Sequence, residues 1–263
     1  LRIGERLLKI VFDNALANKV DEIYVTIFNR TPDQLRLIEL LEEWGFTYFG
    51  EKQTPTGAEQ VYTRSFARSV DLENPKSTFP YISANANHFI VPIYPDYHTE
   101  LLPDSILNNE SPDNFRENEP HRNALSKVYI SHSRERNLKK GDSILFYRTG
   151  GKYAGVATTI GIVETVHDNI KSVEELITLC RKKTFFKEEE LRAYWNRYPG
   201  IKPFVVEFLY AYSLRKRPNL ERLIEIGVVG DVNSAPRGFS RISLANLQAV
   251  LNVSKSDESI VVD

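Results

Sequence analysis

Methionine is absent from all 263 residues, and cysteine occurs once, at Cys180. One thiol excludes an intramolecular disulfide framework, and five scattered histidines leave too few ligands for a dedicated zinc site. A reducing, cytoplasmic setting and no bound metal are therefore expected. The lack even of an initiator methionine leads to the expectation that the chain is part of a longer one. Leu1 is followed at once by an amphipathic pattern, with no charged leader and apolar segment of the kind that directs secretion. No apolar run approaches the roughly 20 residues of a membrane-spanning helix, so no membrane partner is expected. An excess of charge is missing too: 34 basic against 35 acidic residues give a net charge of -1. The chain as a whole does not attract polyanions, and any nucleic-acid contact has to come from a local patch.

What remains is ordinary globular material, 41% hydrophobic and 26% charged, long enough for two domains at about 100 to 200 residues each. Leu7, Leu8, Val11, Phe12, Ala15 and Leu16 recur at helical spacing and predict a helix from Gly4 to about Asn18. Ile23 to Phe28, rich in β-branched and aromatic residues, predicts a strand. Thr31-Pro32-Asp33-Gln34 carries an N-cap, a proline at the first helical position and a glutamine three residues after the cap, so a second helix follows and stops at Gly45. A hairpin over Thr47 to Lys52 and Val61 to Phe66 completes this first unit, residues 1–70. Residues 71–83 match neither period and read as an extended linker.

Beyond it strands dominate: His88 to Ile93, Lys127 to Ser131, Asp142 to Arg148, Gly155 to Val166 and Pro203 to Leu209. Helices are expected after the capping sequence Ser172-Val173-Glu174-Glu175, from Glu188 to Tyr194 and from Ser243 to Leu251. The expected fold is mixed, α+β or α/β: a partial sheet with helices over residues 1–70, then a β-barrel with flanking helices over 84–255 and a tail, 256–263. The clusters Arg134 to Lys140, Arg181 to Lys183 and Arg215 to Arg217 read either as phosphate-contacting edges or as solvated loops.

Three segments of the first unit carry a family likeness: Arg2-Ile3-Gly4-Glu5-Arg6 before a helix, a strand running to Asn29, and Glu42-Glu43-Trp44-Gly45-Phe46 at a helix end. In this order they resemble the closing part of a GNAT acetyltransferase. The resemblance implies acetyl-CoA as co-substrate, with its pyrophosphate at Arg2, Gly4 and Glu5 and with Asn29 nearby. A glycine admits the backbone closely and a helix N-terminus presents unpaired amides to phosphate. It implies direct attack by an acceptor amine whose identity is open. Two departures stand out. Leu41 occupies the position where many members have the tyrosine that protonates the leaving thiolate, so the catalytic residues are unassigned, with Tyr48 as one substitute. The family's first strands also have no counterpart, so the unit reads as truncated.

Residues 84–255 resemble the PUA-like superfamily that includes ASCH and EVE domains. The likeness lies in Val91 to His98, Lys139-Lys140-Gly141-Asp142 with the strand to Arg148, Gly155 to Glu164, and Gly238 to Ser243. It implies binding of RNA or DNA and no required cofactor. Single-stranded bases are held by stacking on aromatics and by hydrogen bonds to their edges, with Arg and Lys on phosphates. The leading candidates are Tyr147, Arg148, Gly150, Gly151, Lys152, Tyr153 and His98, followed by Tyr94, Tyr97, Tyr129, Ser131, His132 and Ser133. Gly150-Gly151 reads equally as a plain hairpin turn, and Tyr94 and Tyr147 as half-buried packing. Asp96, His98, Asp104 and Ser105 lie close in sequence, but a hydrolytic set is recognised by geometry, and none is assigned. The expected function is thus an acetyl-CoA-dependent N-acetyltransferase, apparently truncated, fused to a nucleic-acid-binding module. The alternative is a non-catalytic RNA- or DNA-binding protein, a homodimer being open, in which residues 1–70 are a structural remnant.

Overall fold

The computed structural model describes residues 2–107 and 120–263. Its first unit is α1 (Ile3–Ala17), β1 (Glu22–Ile27), α2 (Pro32–Glu43), β2 (Thr47–Thr54) and β3 (Gly57–Ser65). The capping prediction holds: Thr31 Oγ1 accepts from the Gln34 amide and Gln34 Oε1 accepts from the Thr31 amide. The helix ends at Gly45, whose φ of 82° is open to glycine and where a Cβ would lie 2.5 Å from the Ser77 carbonyl. The strands form an antiparallel sheet in the order β1-β3-β2. α1 presses Leu8, Phe12 and Ala15 inward, and the Phe12 ring meets Trp44, Phe46, Phe66 and Phe79 at centroid distances of 5.9 to 6.3 Å. Arg64, 2% exposed, stands among them with its guanidinium 4.2 Å from the Phe12 ring and 4.7 Å from that of Phe66. Its Nε donates to the Trp44 carbonyl and its Nη2 to the Phe79 carbonyl, each at 2.7 Å.

The stretch 71–83, expected as a linker, is anchored in this packing. Phe79 is 1% exposed and meets Trp44 edge-on at 5.4 Å, and the Tyr81 hydroxyl donates to the Phe66 carbonyl. Ile82–Ser83 (β4) then pairs in parallel with Val261–Val262, so residues expected as a tail form a strand.

The rest of the chain runs β5 (His88–Ile93), α3 (Pro95–Leu101), a short 3-10 turn at Pro103–Ser105, α4 (Pro120–Asn123), β6 (Ser126–Ser131), β7 (Ser143–Arg148), α5 (Gly151–Ala154) and β8 (Val156–His167). It continues through α6 (Val173–Cys180), α7 (Glu188–Trp195), β9 (Phe204–Ser213), α8 (Leu220–Glu225), β10 (Ser240–Ile242), α9 (Leu244–Val253) and β11 (Val261–Val262). Six strands form one sheet in the order β10-β5-β7-β8-β9-β6, parallel only between β5 and β7. The sheet curls into a half-barrel whose edge strands β10 and β6 do not pair with each other, where a barrel was expected. Side chains span the gap: the Tyr129 hydroxyl donates to the Pro92 carbonyl, and the Phe239 amide donates to Ser133 Oγ at 3.1 Å. The Lys-Gly-Asp turn is explained by Asp142, 3% exposed, whose carboxylate accepts from the Asn87 amide at 2.9 Å and the Lys139 amide at 2.7 Å.

Both parts share a core. One apolar cluster runs from Leu8, Phe12 and Trp44 through Phe79 and Ile82 to Ile90, Leu145, Ile160 and Leu247. A second, with Phe89, Phe146, Phe208 and Phe239, fills the curl of the sheet. A third lies under α6 and α7. No helix among the described residues is long and apolar enough to cross a membrane.

Candidate functional site

A cavity of about 560 Å³ opens where β5 runs into α3 and where β6 ends beside α7. Pro95 sets the first turn of α3, which places Tyr94 at the helix cap, 60% exposed, and Tyr97 at 6.0 Å from it. Tyr97 meets Phe186 at 5.0 Å, and Phe186 meets Tyr194 at 5.8 Å. His132, one residue beyond β6, lies against Tyr194 at 4.5 Å and 36°, with Tyr198 edge-on at 4.8 Å. Such offset and edge-on arrangements are the favoured ones for aromatic pairs. Three loops close the rim: Ser131 to Ser133, Arg197 to Ile201, and Pro236 to Gly238.

The charge of this cavity is one-sided. Arg197 and Arg237 line it, and among the described residues no Asp or Glu does. The Arg197 guanidinium lies 5.9 Å from the Tyr194 ring and 5.5 Å from that of Tyr198. Burial, then the charges of Arg197 and Arg136, push the His132 imidazole down to about 4, so it is neutral at pH 7. Burial pushes the Tyr194 hydroxyl up to about 12, and it donates to the Ile130 carbonyl at 3.2 Å. The walls are flat and aromatic, the polar groups uncharged and the rim cationic. That suits a planar ring attached to an anion.

Six of the sequence candidates converge here: Tyr94, Tyr97, Tyr129, Ser131, His132 and Ser133. The leading candidates lie elsewhere. Tyr147 is 2% exposed, in the core, with its hydroxyl so close to Gly155 that a Cβ there would lie 2.1 Å away. His98 is fully buried, with Nε2 2.9 Å from Thr158 Oγ1, and Arg148 ends β7 half-buried. Gly150-Gly151 is no two-residue turn, since Gly151, at φ 77°, opens the single-turn helix α5. On that turn Lys152 pairs with Glu221 at 2.9 Å and Tyr153 is 68% exposed. Thr149, just before, lines the cavity, so this loop flanks it. The sequence reading missed Phe185, Phe186, Tyr194, Arg197, Tyr198 and Arg237. One signal was available: Tyr194-Trp195-Asn196-Arg197-Tyr198 packs three aromatics into five residues at a helix end, more than a short helix can bury on one face.

At the start of α1, the residues carried over for acetyl-CoA are engaged with one another. Arg2 and Glu5 form an ion pair at 2.5 Å, and Glu5 Oε2 accepts from the amides of Leu125 at 2.8 Å and Ser126 at 3.3 Å. Gly4 serves close helix packing, because a Cβ would lie 2.7 Å from Leu40 Cδ2. Asn29 is exposed beyond β1, and Leu41 is core at 4% exposure. Arg2 is thus paired with Glu5, and Glu5, 8% exposed, brings a carboxylate to the start of α1, a charge that disfavours an anion beside it. Among the described residues no group of three or more His, Cys, Asp or Glu could hold a metal.

The histidines make a prediction about stability. Burial lowers the imidazole of His98 to about 3 and those of His121 and His132 to about 4, from 6.5, and lowers that of His88. Below pH 6.5 the unfolded chain binds protons that the native imidazoles refuse, so stability present at neutral pH is lost as pH falls toward 4. The urea midpoint is expected to be lower at pH 4.5 than at pH 7. An unchanged midpoint across that interval would show these imidazoles to be solvated.

No family model matches the chain, and no curated protein matches it. Among solved structures, it is similar to a serine-to-alanine mutant of ZmASCH from Zymomonas mobilis. The TM-score is 0.45 at 13% sequence identity, with 63% of this chain and 95% of that chain covered.

Proposed function

We propose that the chain binds single-stranded nucleic acid by seating a base in the aromatic cavity, while residues 1–70 brace the curled sheet. The observation that carries this reading is the pairing of aromatic walls with Arg197 and Arg237 in a cavity that no carboxylate lines among the described residues. Any base can stack on a tyrosine face, and guanidinium groups hold its phosphates. The PUA-like resemblance of residues 84–255 points the same way. The strand leaves the cavity past Thr149 toward Lys152 and Tyr153, which keeps the Gly150-Gly151 loop as a secondary contact. Acetyl transfer is not part of this reading, because Arg2 and Glu5 are engaged with each other and with the Leu125 amide.

Fluorescence anisotropy with short single- and double-stranded RNA and DNA at two salt concentrations tests it. Single strands are expected to bind more tightly than duplexes, and Arg197→Ala to reduce the slope of log affinity against log salt by about one. Lys152→Ala is expected to do less, since Glu221 already neutralises that lysine. Absence of binding at low salt, or equal binding of duplexes, would sink the proposal. Acetyl-CoA is expected to give no binding heat in calorimetry.

A further inference from the structure

We infer that the cavity seats two successive bases of a single strand, one on Tyr94 and the next on Tyr198, each beside its own arginine. The inference rests on the cavity being a base site and sets how much of a strand that site takes. Its own observation is that the cavity has two sides. It lies across the open side of the curled sheet, where the Tyr129 hydroxyl of β6 reaches the Pro92 carbonyl of β5. On one side Tyr94 follows β5 and caps α3, and Arg237 lies on the loop into β10, the strand paired with β5. On the other, Tyr198 and Arg197 lie just beyond α7, with the Tyr198 ring against His132 at the end of β6.

Both tyrosines are exposed, so a base reaches either ring without disturbing the core. They are the two ends of one aromatic chain. From Tyr94 it passes through Tyr97, Phe186, Tyr194 and His132 to Tyr198, at centroid distances of 4.5 to 6.0 Å. Each end ring meets its neighbour edge-on, at 84° and 81°, and an edge-on contact covers at most one face of a ring. Neither the Arg197 nor the Arg237 guanidinium makes a hydrogen bond or ion pair among the described residues, so each side also offers a cation to phosphate. The size agrees. A cavity of about 560 Å³ is in the range that encloses a drug-sized ligand, whereas one base has only about ten heavy atoms. Successive bases of a flexible strand stack on successive aromatics, but in a duplex they cover one another's faces, so parting two neighbours onto two rings requires a single strand. The Thr149 amide donates to the Ile93 carbonyl at 2.9 Å, next to Tyr94, so the base on Tyr94 is the one nearer Lys152.

The test is competition against a labelled oligothymidylate, followed by anisotropy, with the uridylate series in its place if RNA binds more tightly. The competitors are the 5′-phosphorylated dinucleotide and its two isomers in which one sugar carries no base, so that all three have the same charge. The complete dinucleotide is expected to compete about tenfold more strongly than either isomer, the stacking of one base being the difference. Tyr94→Ala is expected to weaken one isomer and spare the other, and Tyr198→Ala to do the reverse. Where an alanine variant does not fold, Tyr94→Leu or Tyr198→Leu keeps bulk without the flat face. An isomer that competes as strongly as the complete dinucleotide overturns the inference, because one base then fills the site. So do losses that fall on the same isomer in both variants, which is the pattern of one base held between the two rings, and losses on neither isomer. Failure of wild-type protein to bind either labelled strand is a different outcome, and it overturns the cavity reading itself.

Discussion

Arg64→Leu is expected to lower the free energy of unfolding by about 4 kcal/mol, from hydrogen bonds of a charged group worth about 1.5 to 3 kcal/mol each. The guanidinium is 2% exposed and makes two bonds of 2.7 Å, to the carbonyls of Trp44 and Phe79. Burial pulls its pKa down to about 10, which still leaves it charged at neutral pH. It has no carboxylate partner among these contacts; its compensation is main-chain oxygen and the faces of Phe12 and Phe66. Leucine would leave both carbonyls buried and unpaired, so the loss reaches beyond packing. A native domain is stable by only about 5 to 15 kcal/mol, so the variant should unfold at much lower urea. Arg36→Leu, at an exposed pair with Asp33, provides the contrast and should change stability by less than about 0.5 kcal/mol. A midpoint for Arg64→Leu close to wild type would mean that water reaches those carbonyls.

Tyr198→Ala is expected to weaken single-strand binding by about tenfold, base stacking on an aromatic being worth roughly 1 to 3 kcal/mol by alanine substitution. Tyr198 is 45% exposed and its ring stands edge-on to His132, so its removal takes away cavity wall and little core. Tyr194→Ala would strip more wall, but it also removes the hydrogen bond to the Ile130 carbonyl and so mixes binding with stability. Tyr153→Ala is expected to weaken binding less: that ring is more exposed than Tyr198 but lies on α5, outside the cavity, where the strand makes only its secondary contact. Anisotropy titrations of the three proteins separate the cases. If Tyr198→Ala binds as wild type while Tyr153→Ala does not, the strand runs over α5 and the cavity is not its base site.

Local signals were legible where they were complete in a few residues. The capping sequence at Thr31, the stop at Gly45 and the strand His88–Ile93 can be read directly, because each depends on neighbours in sequence. β4 and β11 could not be read, since each has two residues and exists only through the other. α5 was hidden by Gly150-Gly151, whose turn chemistry is shared by hairpins and by a helical turn. For the proposed cavity, sequence selected the right residue types but gave first place to residues that lie outside it. Tyr147 and His98 carry suitable chemistry and are core, while Tyr194 and Tyr198 sit at the end of a helix whose amphipathic pattern disguised them. Burial depends on which loops meet at the open edge of the curled sheet, and that is a long-range property. The same holds at Glu5, whose role was set by the amides of Leu125 and Ser126, residues far along the chain.

The parallel pairing of Ile82–Ser83 with Val261–Val262 sets an order of events on the ribosome. The second strand is made roughly 180 residues after the first, which at about 5 to 20 residues per second is on the order of ten to forty seconds. Throughout that interval Ile82 lacks its strand partner Val261 and the cover that goes with it. The first unit can form its own sheet early, yet it carries an unsealed apolar seam until the later strand leaves the exit tunnel. Nascent-chain quality control therefore meets this protein with its seam still open.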